Sequence, residues 1–408
     1  MSDAQRHLTL DVIRGVAVMG ILVANLPAFA LPAAAYFSPL AAGGTAPADI
    51  ALWFANFVLV EGKMRGLFSL LFGASMLLVI DRARAAGDDP AGVHFSRMAV
   101  LFAIGLIHLY FIWWGDILTH YALCGAIAYP FARFRTGALV AIGLIVSALG
   151  AAFALAGLVL LIDSAPRATP QAAAIWNTFE AAFGVPPAAD IAREIAATRG
   201  GFVTNLAWRW QHATGPLQGM PVLGPQTIGT MLLGMAAYRS GFLTGGWPRA
   251  RYRRWAIVCL GIALPGYMWL GIETIRHGFA LQWVYAGSIA ASAPLRLAGM
   301  FGQASLVLLL LRPGGALTER IAAVGRTAFT NYLGTSIVMT LIFGGLGIGP
   351  GQFGLWSRAA LYLLVPLAWA IMLGWSAPWL RRYRYGPLEW AWRSLARVEW
   401  QPLRRADH

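Results

Sequence analysis

The sequence predicts an all-α integral membrane protein of about ten transmembrane helices in one bundle, with both termini cytoplasmic. Three observations carry that prediction. Of 408 residues, 58% are apolar and only 12% charged, a balance that a water-soluble core cannot hide. The apolar residues gather in stretches of about 20, the length that crosses a hydrocarbon core. The arginines gather in every second connection, as the positive-inside rule requires.

The first stretch, 12–30, opens beside Asp11 and Arg14, one helical turn apart, and carries Asn25 deeper in. It lacks a small-residue cleavage site and reads as a retained helix. Asp11 and Arg14 fit either a local ion pair or a site, and Asn25 either interhelical packing or function. The second stretch, 51–80, is interrupted by Glu61-Gly62-Lys63-Met64-Arg65-Gly66, and two glycines and three charges should bend or break a helix there. A charge inside a bilayer costs at least about 2.5 kcal/mol unless paired or wet, so Glu61, Lys63 and Arg65 each ask for a reason. Lys63 is the single lysine beside thirty arginines. A compact ammonium suits anion binding or proton chemistry; the alternative is two shorter helical pieces meeting at an aqueous interface.

The third stretch, 98–114, holds His108, and a tight turn, Trp113-Trp114-Gly115-Asp116, leads into the fourth at 117–132, which carries Tyr121. At a rise of 1.5 Å per residue, His108 and Asp116 are about 12 Å apart along one helix and meet only if the chain bends. His108 is either a hydrogen-bonded core residue or a base or nucleophile facing a polar cavity. The fifth stretch, 137–162, precedes a long outer segment whose Trp176, Phe179, Phe183, Phe202, Trp208 and Trp210 suit helices lying at the membrane interface. Stretches at 219–238, 255–273, 283–311, 327–345 and 357–377 complete the bundle. Glu273 with Arg276 and His277, and Thr330-Asn331, are further polar candidates.

Four segments follow: N-terminal membrane helices at 1–162, an extracytoplasmic interfacial segment at 163–218, C-terminal membrane helices at 219–380 and a basic cytoplasmic tail at 381–408. The net charge of +14 sits at helix ends, not on one basic face, which excludes a nucleic-acid surface. Cys124 and Cys259 fall inside apolar stretches without disulfide or zinc spacing, and no metal site is expected. The glycines from Gly344 to Gly349 lack the lysine and the strand–helix setting of a phosphate loop.

Several motifs recur in a known family: Leu10-Asp11-Val12-Ile13-Arg14-Gly15, Gly20-Ile21-Leu22 with Asn25, Gly62-Lys63-Met64-Arg65 followed by Leu67 to Gly73, and Gly105-Leu106-Ile107-His108. Trp114-Gly115-Asp116-Ile117-Leu118 with Tyr121, Gly325 to Tyr332, and Tyr385-Gly386-Pro387-Leu388-Glu389-Trp390 extend the set over nearly the whole chain. Together they resemble the YeiB-like membrane proteins, whose C-terminal half is called domain of unknown function 418. That family is grouped with transmembrane acyltransferases, which include heparan-glucosaminide acetyltransferase and bacterial enzymes that acylate envelope sugars. The resemblance implies acyl transfer across the membrane. In the heparan enzyme an asparagine late in the first helix and a histidine eleven residues on serve the reaction; Asn25 matches the former and Tyr36 stands at the latter.

The function expected on this basis is transfer of an acyl group from cytosolic acyl-CoA, the one cosubstrate implied, to an extracytoplasmic acceptor such as an envelope sugar, in the bacterial inner membrane. His108 would be base or acyl carrier, Asn25 would hold the carbonyl oxygen, and Asp116 would position base or acceptor. Lys63, Arg65, Glu61, Arg14 and Tyr121 would bind substrate, and the arginines between 239 and 254 would gather the CoA phosphates. Membrane lipids are further partners, and a homo-oligomer is left open. The alternatives are a transporter or flippase for an anionic lipid or metabolite, or a non-catalytic lipid-binding subunit.

Overall fold

The computed structural model describes residues 3–165, 169–212, 219–344 and 351–405. Every described element is helical, and each of the ten apolar stretches coincides with helix. The first three helices are α1 (Asp3–Ala30), α2 (Pro47–Leu59) and α3 (Lys63–Ala86); α4 (Pro90–Ile107), α5 (Leu118–Ala128) and α6 (Thr136–Ser164) follow. Seven helices or helix pairs among the described residues are long and apolar enough to cross a membrane, against ten expected. The difference has a physical reason. The fourth stretch is divided into the short α5 and a 3₁₀ turn at Tyr129–Arg133, the sixth is diluted by glycine, proline and threonine in Met220–Arg239, and Ala328–Phe343 is short.

The outer surface confirms a multi-pass membrane protein. Leu144, Ile145, Phe153, Val159 and Ile162 of α6 are exposed, a band of apolar surface that water would not tolerate at this size. The polar side chains are turned inward instead, where helices satisfy one another.

The segment at 163–218 folds, in its described part, as α7 (Pro170–Phe183), α8 (Ala188–Arg199) and α9 (Phe202–His212), so helices stand there as expected. Phe183 packs on Phe37 and Tyr285, and Glu194 accepts the Ala33 backbone N–H at 2.9 Å, which ties this layer to the turn after α1. Beyond it run α10 (Met220–Arg239), α11 (Arg249–Arg276), α12 (Leu281–Tyr285) and α13 (Ser292–Leu310). The last helices are α14 (Ala316–Arg326), α15 (Ala328–Phe343), α16 (Arg358–Tyr362), α17 (Leu364–Arg382) and α18 (Pro387–Arg397). Most of the glycine run from Gly344 lies outside the described residues.

The tail is folded back onto the bundle. Glu389 of α18 accepts the backbone N–H groups of Phe329 (2.7 Å) and Thr330 (3.1 Å) and the Thr330 hydroxyl (2.5 Å), and so caps the first turn of α15. Thr330 Oγ1 in turn accepts the Leu388 N–H at 3.0 Å. On the other face of α18, Trp392 donates to the Arg97 carbonyl at 3.1 Å beneath the Arg97 guanidinium.

Candidate functional site

His108 and Asp116 touch, contrary to the 12 Å that a continuous helix would impose. α4 loosens into a π-turn at His108–Ile112, Trp113 is extended at φ −153° and ψ 132°, and the chain reverses before α5. Gly105 permits the approach: a Cβ there would lie 2.5 Å from the Thr119 nitrogen, so only glycine lets the start of α5 pack against α4. The reversal returns Asp116 to His108. Oδ1 accepts His108 Nδ1–H at 2.8 Å, while Oδ2 accepts the Thr119 N–H at 2.9 Å and hydroxyl at 2.8 Å.

That carboxylate has two consequences. It caps α5, and it fixes the imidazole with the proton on Nδ1, leaving the Nε2 lone pair outward. His108 is fully buried, and Nε2 has no hydrogen-bond partner among the described residues. A carboxylate–imidazole pair so arranged is what a general base needs. The ring lies 5.5 Å from that of Tyr332 and 6.1 Å from that of Trp113.

Asn25 is reached through Tyr332. Both line a small void with Thr335 and Ser336, and the Asn25 side chain makes no hydrogen bond among the described residues. Sequence reasoning quoted Tyr332 only as part of a motif and missed Thr119; the glycine at 105 and the run ending in Tyr332 were the available signals.

A cavity of about 1550 Å³ opens at the arginine-bearing end of the bundle. Its lining follows α3 from Phe68 to Ala86, roughly 27 Å at 1.5 Å per residue, and ends on Leu118 and Tyr121, two to five residues from Asp116. Nine arginines line it, against six carboxylates: Arg14, Arg82, Arg97, Arg326, Arg381, Arg384, Arg393, Arg397 and Arg405. Of the carboxylates, Asp11 binds Arg14 (3.0 Å), Asp89 caps α4 and Glu389 caps α15, so the field favours anions. Arg14 also reaches Ser75 at 3.1 Å, and Tyr121 closes the floor with its hydroxyl 3.0 Å from Ser69 Oγ and 3.1 Å from the Arg65 carbonyl.

The arginines between 239 and 254 are absent from this lining. They tie helix ends together: Arg239 donates to the Phe134 and Ala132 carbonyls, Arg249 to Leu309, and Arg251 stacks on Trp247. The residues that gather at the cavity come from α1, α3, α4, α5, α14, α15, α17 and the folded tail.

The break at residues 60–62 is present, with Gly62 at φ +71° between α2 and α3. Lys63 does not face the cavity. Its ammonium donates to the carbonyls of Phe57 (3.0 Å) and Glu61 (3.1 Å) and sits 3.2 Å over the Tyr267 ring, so it satisfies the free end of α2. Glu61 is buried beside it, whereas Arg65 is half-buried and its guanidinium makes no hydrogen bond among the described residues. The remaining polar candidates hold structure. Arg276 pairs with Glu273 at 2.9 Å at a helix end, and Asn331 joins Thr327, Ser376 and Trp375 in a buried network. Both cysteines are free thiols, and no group of three potential metal ligands occurs among the described residues.

Fold and site define a multi-pass membrane protein with a buried histidine–aspartate pair beyond an arginine-lined cavity. The chain belongs to the YeiB family: it is 31% identical to the uncharacterized protein YeiB of Escherichia coli (strain K12), over 96% of each chain. It is 29% identical to the uncharacterized protein YxaH of Bacillus subtilis (strain 168), over 99% of this chain and 98% of that one. A third relative, an uncharacterized 39.9 kDa protein of Bacillus acidopullulyticus, is 25% identical over 96% and 94%. Residues 237–399 match the family described as protein of unknown function (DUF418). No solved structure matches.

Proposed function

We propose that this protein is a transmembrane acyltransferase that takes an acyl group from a cytosolic acyl-CoA and passes it to a hydroxyl or amine on the far side of the bacterial inner membrane. The observation that carries the reading is the alignment of the two features above. The arginine-lined cavity ends at Tyr121 and Leu118, and Leu118 begins the helix that Asp116 caps while holding His108. A cavity of 1550 Å³ exceeds the roughly 300–1,000 Å³ of ordinary small-molecule sites and suits a long, phosphate-bearing thioester. Arginine forks match its phosphates.

In this reading the arginine-rich end is cytoplasmic by the positive-inside rule, ten helices span the bilayer, and both termini lie inside. The acceptor oxygen or nitrogen attacks the thioester carbonyl while His108 Nε2 takes its proton. The tetrahedral intermediate collapses with loss of the C–S bond, and the departing thiolate receives the proton from the imidazolium. Asp116 stabilises that imidazolium and preserves the tautomer. Tyr332, whose ring lies 5.5 Å from that of His108, and Asn25 would be neutral donors for the carbonyl oxygen. Membership in the acyltransferase superfamily, inferred from the motifs around Arg14, Asn25 and His108, supports the same chemistry.

The test is calorimetric titration of acetyl-CoA and longer acyl-CoAs into the purified protein, alongside transfer of radiolabelled acyl groups to an envelope-sugar mixture. Binding with label transfer that disappears in His108→Ala is expected. No binding of any acyl-CoA would overturn the reading and favour transport of an anionic lipid or metabolite.

A further inference from the structure

The charges around the break between α2 and α3 do not balance. Glu61, 7% exposed, lies in the field of Lys63, Arg296 and Arg65. Arg358, Tyr362 and Tyr36 lie in the field of the same carboxylate. Four basic side chains therefore share the field of one glutamate. Asp49 adds a second negative charge near Arg358, and its Oδ1 accepts the Ala359 N–H at 2.8 Å. Basic side chains thus outnumber carboxylates in this group.

Arg296 and Arg358 are each held on one edge and keep nitrogens without acceptors on another. Arg296, 8% exposed, donates from its two terminal nitrogens to Gln226 Oε1, the Ser288 carbonyl (2.9 Å) and Ser292 Oγ (3.2 Å), while Nε has no partner. Arg358, 0% exposed, is anchored by Nη2 to the Ala35 carbonyl and faces the Tyr362 hydroxyl, and no well-aligned hydrogen bond satisfies its Nε and Nη1 among the described residues. Arg65 contributes a guanidinium without hydrogen bonds. Arg65 and Tyr36, beside this group, are only half-buried.

Buried guanidinium N–H groups without acceptors are unfavourable unless an oxyanion answers them, and their planar forks match phosphate. We propose that Arg65, Arg296 and Arg358, with Tyr36 and Tyr362, form a buried anion site that binds a phosphate ester. It is distinct from the arginine-lined cavity. Tyr121 stands between the two: its ring lies on the cavity floor, and its hydroxyl bonds the Arg65 carbonyl. On the acyl-transfer reading, the phosphate belongs to the acceptor; the anion site itself does not depend on that reading. The phosphate is carried either by a lipid headgroup or by a free phosphorylated metabolite.

The experiment is calorimetric titration of glycerol phosphate and, separately, dioctanoyl phosphatidylglycerol into the full-length protein in detergent, without any acyl donor. The comparison is between wild type, Arg65→Gln, Arg358→Gln and the cavity variant Arg393→Gln. The Arg65 guanidinium forms no hydrogen bond and the backbone carbonyl is unchanged by substitution, so Arg65→Gln remains folded even if Arg358→Gln does not. At least tenfold weaker binding in Arg65→Gln, with Arg393→Gln retaining wild-type affinity, supports the site. Loss for glycerol phosphate identifies a soluble ester, and loss for the lipid alone identifies a headgroup. Wild-type binding in a folded Arg65→Gln, binding lost equally in Arg393→Gln, or no binding of either probe overturns it. Because no donor is present, failure of acyl transfer and failure of this site are separate results.

Discussion

At the scale of single residues, Asp116 does two jobs with its two oxygens, and they can be pulled apart. Asp116→Asn keeps an acceptor for the Thr119 N–H but no longer enforces the Nδ1-protonated imidazole, so the helix cap survives and the base does not. In the transfer assay, kcat should fall by about 10²–10⁴ with KM little changed, while His108→Ala falls at least as far. A wild-type kcat in Asp116→Asn would return the pair to a packing role. Lys63 carries the opposite expectation. Its ammonium satisfies two carbonyls at a helix end, so Lys63→Met should lower stability by about 2–4 kcal/mol, measured by thermal unfolding, because both acceptors lose their donor inside the bundle. The lone lysine was legible as unusual; what it serves was not, since the carbonyls that bind it come into reach only once Gly62 turns the chain. His108 and Asp116 were legible as candidates and not as a pair, because a helical rise applied across residues 108–116 misses the π-turn and the extended Trp113. Arg296 and Arg358 escaped notice because each lies among residues that read as ordinary span and span end.

At the scale of elements, two carboxylates splice separate helices, and neither splice was visible in sequence. The motifs ending in Tyr332 and in Trp390 stood far apart in the chain, yet Glu389 joins them through Phe329 and Thr330. Burial pushes the Glu389 carboxyl up from its ordinary range, with the Thr330 hydroxyl and the backbone N–H groups opposing it. Glu389→Ala should cost about 2–3 kcal/mol in thermal unfolding and release α18 to proteolysis, since hydrogen bonds to a carboxylate exceed neutral ones. The second splice is pH-dependent. Burial pushes Glu194 up to about 7, with the Ala33 N–H opposing. The folded protein thus holds this proton more tightly than the unfolded chain. The contribution of Glu194 to stability is fully present below pH 4.5 and is lost as pH rises through about 7. Wild type should lose on the order of 1–3 kcal/mol across that window from this group. Glu194→Gln should flatten that part of the profile and be the more stable form at pH 8; an unchanged slope would remove Glu194 as its source.

At the scale of the whole molecule, apolar length located the long helices, because lipid leaves a chain few ways to satisfy its backbone, but it missed α14 and α18, whose polar residues break the apolar pattern. It also overstated uniformity. Span-length apolarity holds in seven places, since α5 and α15 are short and α10 is diluted by glycine, proline and threonine. Orientation is the remaining whole-molecule claim, and it decides which face of the bundle meets acyl-CoA. The arginines lining the cavity argue for the cytoplasm. In a background with Cys124 and Cys259 replaced by alanine, Thr45→Cys, in the exposed turn before α2, should react with a membrane-impermeant thiol reagent added to intact cells. Ala250→Cys, exposed at the start of α11, should react only after the membrane is opened. The cavity mouth shares the side of Ala250, because α3 and α4 meet there at Gly87 and α17 leads there into the tail. Labelling of Ala250→Cys and protection of Thr45→Cys in intact cells would therefore invert the whole scheme: the arginines would face the periplasmic side, and a cytosolic thioester would have no route to His108.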